Sequence, residues 1–212
     1  MVVGALVLAD AGITLLWQEP LTALYGHVQQ GRLEHGLANV ERSSAGPIKR
    51  AVAHQPNANR RLDLAARAFA HQTHPGAPLG RLRIGRIGVS AVFVQGTAAT
   101  DLSKGPGHYA KTPLPGESGT IGIAGHRTTF GAWFRHVDRL KPGDPIELTM
   151  PYGQFTYRVQ TTRIVPSDAW WITRRVGYSR LVLSACHPLY SAAKRIVVFA
   201  RLVAARPRGA AG

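Results

Sequence analysis

The apolar positions of the chain change their spacing beyond residue 81. Runs rich in β-branched residues partly alternate with polar residues, and sequences such as PGESG, KPGD and PYGQ separate them. A period of two positions, bounded by Gly and Pro, is typical of β-strands. Short strands at this spacing predict an all-β barrel or sandwich over residues 81–205, with a short tail over 206–212. The predicted strands cover residues 87–96, 119–125, 144–150, 154–165, 179–186 and 194–203, with brief helical turns near Thr100 and Phe130.

The N-terminal part of the chain has a different pattern, and residues 1–42 are predicted to form a hydrophobic anchor segment followed by an amphipathic helix. Residues 2–17 are apolar except for Asp10 and Thr14, and as a helix they would span roughly 24 Å, slightly less than the ~30 Å hydrocarbon core of a bilayer. We expect a membrane anchor here, with an ordinary buried helix as the alternative. From Pro20 onward, apolar residues recur every three to four positions to about residue 42, which predicts the amphipathic helix.

The next segment, residues 43–80, is polar and rich in turn-forming residues, with sequences such as SSAGP, HQPNANRR and HQTHPGAP. Such composition is typical of connecting segments. We therefore predict a linker here, with one short helix over residues 62–70. A linker of this length would hold the β-domain away from a surface.

The charge of the chain is high and uneven. The formal net charge is +15, and residues 81–212 carry 19 Lys/Arg against 6 Asp/Glu, a net of +13. A basic field of this kind attracts polyanions such as nucleic acid, anionic lipid or an anionic cell-wall polymer, although an ordinary solvated basic surface is the interpretation that we favour. The single cysteine excludes an intramolecular disulfide and a multi-cysteine zinc site.

That cysteine, Cys186, lies in the stretch LSACHPLYSAAKR, which ends at Arg195. A cysteine nucleophile reacts as its thiolate, and acyl transfer also needs a proton donor for the leaving amine and a donor for the oxyanion. His187 is the poorer partner, because neighbouring side chains on a strand leave opposite faces. Arg195 begins the next predicted strand, and His126 lies at the exit of an earlier one. Cys186, His126 and Arg195 are therefore candidate catalytic residues, with inert packing of the cysteine as the alternative.

Two longer motifs suggest a family. AGHRTTFG and LSACHPLYSAAKR resemble sequences of the sortases, the bacterial cysteine transpeptidases, and are most similar to the actinobacterial class E group. The similarity covers roughly residues 81–203 and includes GPGHY, LPGESGTIGIAGHR and LKPGD; ADAGITLLWQEP is similar to a membrane-proximal region of such enzymes. The resemblance implies an eight-stranded β-barrel with short helices, preceded by an N-terminal helical anchor that crosses the cell membrane once. The barrel would then face away from the cytoplasm.

The resemblance also implies a reaction. Such enzymes cut a C-terminal sorting signal of the LPXTG or LAXTG kind between Thr and Gly and join the protein to an amine of a peptidoglycan precursor. By this likeness Cys186 attacks the Thr carbonyl, His126 protonates the departing amine, and Arg195 holds the substrate and stabilises the oxyanion. Pilin polymerisation and hydrolysis by water at the same site remain alternatives, as does a non-enzymatic basic barrel that binds polyanions. We expect no cofactor, no metal and no nucleic-acid partner.

The chain departs from the family pattern just before the nucleophile. The family usually reads T-L-x-T-C, whereas residues 182–186 read VLSAC, so position 185 lacks a hydroxyl and an oxyanion or substrate hydrogen bond there must come from the backbone or from another residue. The six carboxylates of the β-domain are dispersed, which disfavours a calcium site. Further candidate substrate-binding residues are His108, Tyr109, Thr128, Thr129, Ala185 and Tyr190.

Overall fold

Eight β-strands form a closed barrel in the computed structural model, which describes residues 20–212. Around the barrel the strands follow the order β1, β2, β3, β4, β7, β8, β6, β5. The closed eight-stranded barrel confirms the predicted fold class. The strands are β1 (Pro78–Ile84), β2 (Val89–Gln95), β3 (Gly107–His108), β4 (Thr120–Ala124), β5 (Pro145–Met150), β6 (Gly153–Pro166), β7 (Arg180–His187) and β8 (Lys194–Pro207).

Strands β1 and β3 are absent from the sequence-based prediction, while each of the other six coincides with a predicted run. Strand β1 reads PLGRLRI, and its apolar residues alternate with Arg81 and Arg83 at outward-facing positions. Arg81 binds Glu34, in the helix formed by Pro20–Val52, through Nη2 at 2.6 Å. The polar alternation and the turn-rich sequence before it made this strand look like the end of a linker. Strand β3 is only two residues long, too short to leave a pattern.

Strand β7 lies between β4 and β8 and determines where the barrel brings distant residues together. It runs parallel to β4, with Ala124 opposite Ser184 at the end of the ladder. It runs antiparallel to β8, with His187 opposite Lys194. The carboxyl ends of β4 and β7 therefore meet the beginning of β8 at one edge of the barrel.

The two faces of β7 have different surroundings, because successive side chains on a strand point to opposite sides. The inward side chains join the main hydrophobic core inside the barrel, namely Leu181, Leu183 and Ala185. Val182, on the outward face, belongs to a smaller apolar cluster outside the barrel, with Val165, Ala169, Ile172, Val197 and Phe199. By the same alternation Ser184 and Cys186 also face outward, so the cysteine does not belong to the barrel core.

The segment predicted as a linker differs in the structure. Helix α1 (Pro20–Val52) continues ten residues beyond its predicted end and passes through Pro47, and helix α2 (Ala58–Ala70) follows it. Both helices pack on the barrel and bury Ile48, Leu62 and Phe69 in the main core. Burial of these apolar side chains outweighs the local cost of a proline inside a helix, a balance that turn propensity alone does not reveal. A third, one-turn helix α3 (Ala99–Leu102) follows β2.

Helix α1 also supplies hydrogen bonds to the barrel through a buried glutamine. Gln30 is 9% exposed; its Nε2 donates to the carbonyl oxygens of Val92 and Lys104, both at 3.0 Å, and its Oε1 accepts from the Val92 amide at 2.7 Å. The amide side chain thus pairs with the backbone of β2 as a neighbouring strand would. The helix is consequently a structural part of the domain.

Within residues 20–212, no helix combines the length and the apolar character needed to cross a membrane. The predicted anchor, residues 2–17, lies outside the described residues.

Candidate active site

The nucleophile candidate and the arginine candidate lie on neighbouring strands at the same level. Cys186 of β7 is directly opposite Arg195 of β8. Side chains of directly opposite residues leave the same face of an antiparallel pair, with Cβ atoms about 4.5–5.5 Å apart. The register therefore brings the thiol and the root of the guanidinium side chain together on the outer face of the barrel.

His126 follows the end of β4, the strand that borders β7 on the side opposite β8. Strand β4 pairs with β7 in a constant register, and the amide of Gly125 still donates to the carbonyl of Ser184 at 3.0 Å beyond the last paired residue. Continuing this register by two residues from the pair Ala124 and Ser184 places His126 beside Cys186. All three candidate catalytic residues thus lie at one edge of the barrel, where β4 and β7 end and β8 begins.

The guanidinium of Arg195 is oriented by the loop between β7 and β8. Its Nη1 donates to the carbonyl oxygens of Ala192 at 2.9 Å and Lys194 at 3.0 Å. No hydrogen bond joins its Nε or Nη2 to another residue of the 20–212 segment. These donors are free to bind a carbonyl oxygen or an oxyanion beside the thiol.

The imidazole of His126 is partly buried by its own loop. The ring centroids of His126 and Phe130 are 5.4 Å apart, at an interplanar angle of 43°. Burial lowers the pKa of His126 below the usual value of 6.5, because desolvation disfavours the imidazolium form. The ring therefore releases a bound proton more readily than an exposed histidine does, which suits transfer to a departing amine.

A cavity of about 500 Å³ lies on the outer face of the barrel, and Arg195 is the member of the three candidate catalytic residues that lines it. Ser184 and Arg195 lie on its strand side, and Tyr109 lines it from the segment after β3. The loop between β6 and β7 forms the opposite wall, and the smaller apolar cluster beneath that loop supports it. The loop contributes Ser167, Asp168, Ala169, Trp170, Ile172 and Thr173 to the lining. The volume is typical of a ligand-binding cleft.

Arg127 is a residue of the site that was not identified from the sequence. The side chain of Arg127 is only 4% exposed, and its Nη2 forms an ion pair with Asp138 at 2.9 Å. Nε and Nη2 donate to the carbonyl of Arg135 at 3.3 and 3.1 Å, and Nη1 lies 3.4 Å from both the carbonyl of Cys186 and Nδ1 of His187. The guanidinium thus connects the segment after His126 to the end of β7. Its only sequence signal is its place in AGHRTTFG, where a charged residue follows the histidine.

His108 and Tyr109, two of the candidate substrate-binding residues, are adjacent in the chain but have different surroundings. His108 is 1% exposed, and its Nδ1 lies 2.7 Å from Oε1 of Gln95, while its Nε2 lies 3.1 Å from the carbonyl of Pro113 and 3.0 Å from Oγ1 of Thr112. Burial lowers the pKa of His108 to about 4 despite an opposing contribution from the hydrogen bond to Pro113. This neutral imidazole holds the segment that carries Tyr109, and Tyr109 itself lines the cavity.

The remaining candidates surround the site without lining the cavity. The side chain of Ala185 points into the barrel core and is 3% exposed, so only its backbone can reach a substrate on the outer face. Thr128 and Thr129 are half-buried in the loop after His126. Tyr190 is 55% exposed in the loop between β7 and β8 and adopts a positive φ of 62°. The roles of these residues in substrate binding stay predictions.

A metal site would require a cluster of ligating side chains. Across the described part of the chain, no group of three or more His, Cys, Asp or Glu residues is placed to hold a metal ion.

Comparison with known proteins matches this geometry to a family. A family model described as a sortase domain matches residues 82–203. Sortase D of Bacillus subtilis is 35% identical over 145 residues, which cover 66% of this chain and 72% of that protein. Sortase SrtE1 of Streptomyces coelicolor is 30% identical over 150 residues, which cover 63% of this chain and 43% of that protein. The crystal structure of sortase E1 from Streptomyces coelicolor with a tripeptide in the active site has a TM-score of 0.60 and 28% identity, covering 64% of this chain and 94% of that structure.

The matched region contains His126, Cys186 and Arg195. It covers the whole barrel except the beginning of β1 and the end of β8. The similar proteins include a sortase D as well as sortases of the E group, and the alignment spans less than half of the Streptomyces protein. The predicted resemblance is confirmed, including its likeness to the E group. The chain therefore belongs to the sortase family, whose members are cysteine transpeptidases.

Proposed function

We propose that this transpeptidase cuts an LPXTG- or LAXTG-type sorting signal between Thr and Gly and transfers the Thr carbonyl to an amine of a peptidoglycan precursor. The observation that carries this proposal is the register at one barrel edge. It pairs Cys186 with Arg195, and the ladder between β4 and β7 ends at Ala124, two residues before His126. Acyl transfer through a thioester needs a thiolate, a proton carrier and an oxyanion donor, and these three side chains provide one of each.

In the first half-reaction, the thiol of Cys186 gives its proton to His126, and the thiolate attacks the Thr carbonyl carbon. The tetrahedral intermediate collapses as the bond between that carbon and the Gly nitrogen breaks. His126 returns the proton to the departing amine, and a thioester to Cys186 remains. The lowered pKa of His126 favours this release of the proton.

In the second half-reaction, the acceptor amine attacks the thioester carbonyl and passes a proton to His126. The carbon–sulfur bond breaks and Cys186 leaves as the thiolate, so that a new amide joins the two molecules. In both tetrahedral intermediates the negative oxygen is stabilised by N–H donors of Arg195, whose Nη1 is already held by the carbonyls of Ala192 and Lys194. A donor that is oriented before the reaction loses little freedom in the transition state.

The cavity supports the peptide specificity that we propose. Its wall contains the apolar side chains of Val165, Ala169 and Ile172, which suit the apolar residues that open both sorting motifs. Its strand side leads along the outer face of the barrel to Cys186. An extended peptide with its apolar end under the loop between β6 and β7 would place the following Thr–Gly bond toward the thiol.

We also propose that the barrel faces outward, attached to the cell membrane by residues 2–17. Helix α1 starts beside the loop of His126, since Tyr25 contacts Phe130 with ring centroids 6.0 Å apart. An anchor formed by residues 2–17 would join the domain at the active-site edge, which would suit an acceptor carried at the membrane surface. Deleting residues 2–17 from the full chain should move the protein from the membrane to the soluble fraction; retention at the membrane would contradict this attachment.

The decisive test incubates the full-length protein with a library of LPXTG and LAXTG peptides and a glycine or diamino-acid acceptor. We expect new products whose mass is that of the Thr-ending fragment plus the acceptor minus water. Products that carry only a new carboxyl group would instead identify a hydrolase, and transfer to a pilin lysine would identify a polymerase. No cleavage of any member would contradict the proposed specificity.

Substitutions of Cys186 and His126 test the catalytic role of each residue. Cys186→Ala should lower the cleavage rate by at least about 10⁴-fold, and Cys186→Ser should be similarly poor because an alcohol is far harder to ionise than a thiol. His126→Ala should lose transfer, whereas the control His35→Ala, at an exposed position of α1, should keep the parent rate. Parental activity in Cys186→Ala would show that the nucleophile is misassigned.

A further inference from the structure

The beginning of helix α1 packs against the loop that follows the catalytic histidine. Tyr25 meets the ring of Phe130 edge-on, with centroids 6.0 Å apart, and His27 meets the ring of Trp133 edge-on at 5.9 Å. Gly26 lies between them, and a Cβ at this position would be 2.8 Å from the carbonyl carbon of Phe130. The helix backbone therefore lies directly on the loop backbone, closer than any side chain would allow.

The loop carries this contact to His126. The ring of Phe130 lies between the helix and the imidazole, with its centroid 5.4 Å from that of His126. The amide of Phe134 donates to the carbonyl of His126 at 2.9 Å and closes the loop on the histidine. Any displacement of Phe130 therefore changes the surroundings of the imidazole directly.

The loop adopts a conformation that needs support from outside. Phe130 and Ala132 have positive φ values of 50° and 43°, a region that side-chain-bearing residues rarely occupy. Such residues keep this conformation only where surrounding packing imposes it. The structure provides that packing through the first turns of α1.

We propose that residues 25–27 of helix α1 are a positioning element for His126, acting through Phe130. This inference depends on the role proposed above for His126 and adds a determinant outside the barrel. None of the residues that line the cavity belongs to the described part of this helix. Its contribution is to keep the imidazole at the distance and angle from Cys186 that proton transfer requires.

Two glycines of the same helix provide a matched test. Gly26→Ala and Gly31→Ala both replace a helical glycine and gain the same local helix propensity. A Cβ at position 31 would meet nothing within 4 Å, whereas at position 26 it would meet only backbone atoms of Phe130 and Gly131 at 2.8–3.0 Å. Backbone cannot rotate away as a side chain can, so Gly26→Ala must change how the helix and the loop lie on each other.

The measurements are the kcat and KM of full-length variants with a cleavable sorting peptide, and the NMR signals of the His126 ring at constant pH. Gly26→Ala should lower kcat about tenfold with KM within about twofold, and shift the His126 signals, because a displacement of about 1 Å near a reacting group costs up to 10²-fold. Gly31→Ala should match the parent in all three. Tyr25→Ala should lower kcat in the same direction, and Tyr25→Phe, which keeps the ring, should restore it.

Each result decides the proposal. If Gly26→Ala keeps the parental kcat and His126 signals, or if it changes only KM, the positioning role is refuted. If Gly26→Ala does not fold, the pair Tyr25→Ala and Tyr25→Phe gives the decision. If the parent cleaves no sorting peptide, the proposed function fails, but the NMR comparison of the two glycine variants still decides whether α1 controls the environment of His126.

Discussion

The buried Arg127 offers the sharpest test of how the site is held together, through the substitution Arg127→Met. Methionine keeps most of the aliphatic volume but removes every N–H donor. The carbonyl of Arg135 loses its bonds at 3.1 and 3.3 Å, and Asp138 loses its partner at 2.9 Å. The contacts at 3.4 Å to Cys186 and His187 are long, so we assign them little energy.

The expected loss of stability follows from these partners. A hydrogen bond with a charged donor contributes about 1.5–3 kcal/mol net, and the ion pair adds less because Asp138 is 49% exposed and water replaces its partner. Removing a buried cation also recovers part of its desolvation cost. Together these effects predict a destabilisation of about 3 kcal/mol, which for a chain of this size lowers the melting temperature by roughly 6–12 °C.

The same substitution should lower catalysis at temperatures where the variant is folded. Without the guanidinium, position 127 loses its bonds to Arg135 and Asp138, so the loop that carries the neighbouring His126 is held less firmly, and we expect kcat to fall about tenfold with a smaller change in KM. The kcat of Arg127→Lys should lie between those of the parent and the methionine variant. An ammonium group keeps the charge, but it lacks the planar set of N–H donors with which the guanidinium binds several acceptors at once.

The assays are thermal unfolding followed by circular dichroism and the kinetics of sorting-peptide cleavage. Arg139→Met is the matched control, since this arginine of the neighbouring segment is exposed. If Arg127→Met and Arg139→Met had the same melting temperature and the same kcat, the buried arginine would contribute neither to stability nor to catalysis, and our reasoning would be refuted.

Three further predictions test other parts of the molecule. Burial lowers the pKa of His108 to about 4, whereas an unfolded histidine titrates near 6.5. Between these two pH values the unfolded state binds a proton that the folded state does not. Acidification in this window should therefore lower the free energy of unfolding by up to about 1.4 kcal/mol per pH unit. Urea unfolding at pH 7.5 and 5.0 should therefore show the advantage of the parent over His108→Gln shrinking at the lower pH, and an unchanged advantage would contradict the assignment. Gln30→Leu leaves buried backbone groups of β2 without partners and should cost about 2–4 kcal/mol in the free energy of unfolding, whereas Gln29→Leu should change it little; equal losses would disprove the strand-like role of this side chain. Arg195→Ala should lower kcat about 10²–10³-fold and Arg195→Lys less, as measured by peptide cleavage, and an equal effect of both would remove the oxyanion role.

Much of the barrel could be predicted because its strands carry a local signal. Six runs of β-branched residues between Gly- and Pro-containing turns coincide with six of the eight strands. The order of the motifs around His126, Cys186 and Arg195 was enough to indicate the family. Neither inference required knowledge of which strands are neighbours.

Other features depend on contacts between distant residues. Residues 43–52 read as a linker because Gly46 and Pro47 are turn residues, yet Ile48 is 1% exposed once the helix lies on the barrel. His108 stood out as a substrate-binding candidate, but in the structure its imidazole is buried and bound to Gln95, Thr112 and Pro113. In each case the neighbours that define the role are brought there by the fold.

By itself, the amino-acid sequence determined where six of the eight strands form, which family the chain resembles, and which three side chains are candidates for catalysis. Only the tertiary structure decided that β4 and β7 run parallel, that Arg127 is buried beside the site, and that helix α1 contacts the loop of His126. The physical reason is range: periodicity and turn chemistry act between residues a few positions apart. The register between strands sixty positions apart is selected by burial of the whole core, which no local stretch encodes.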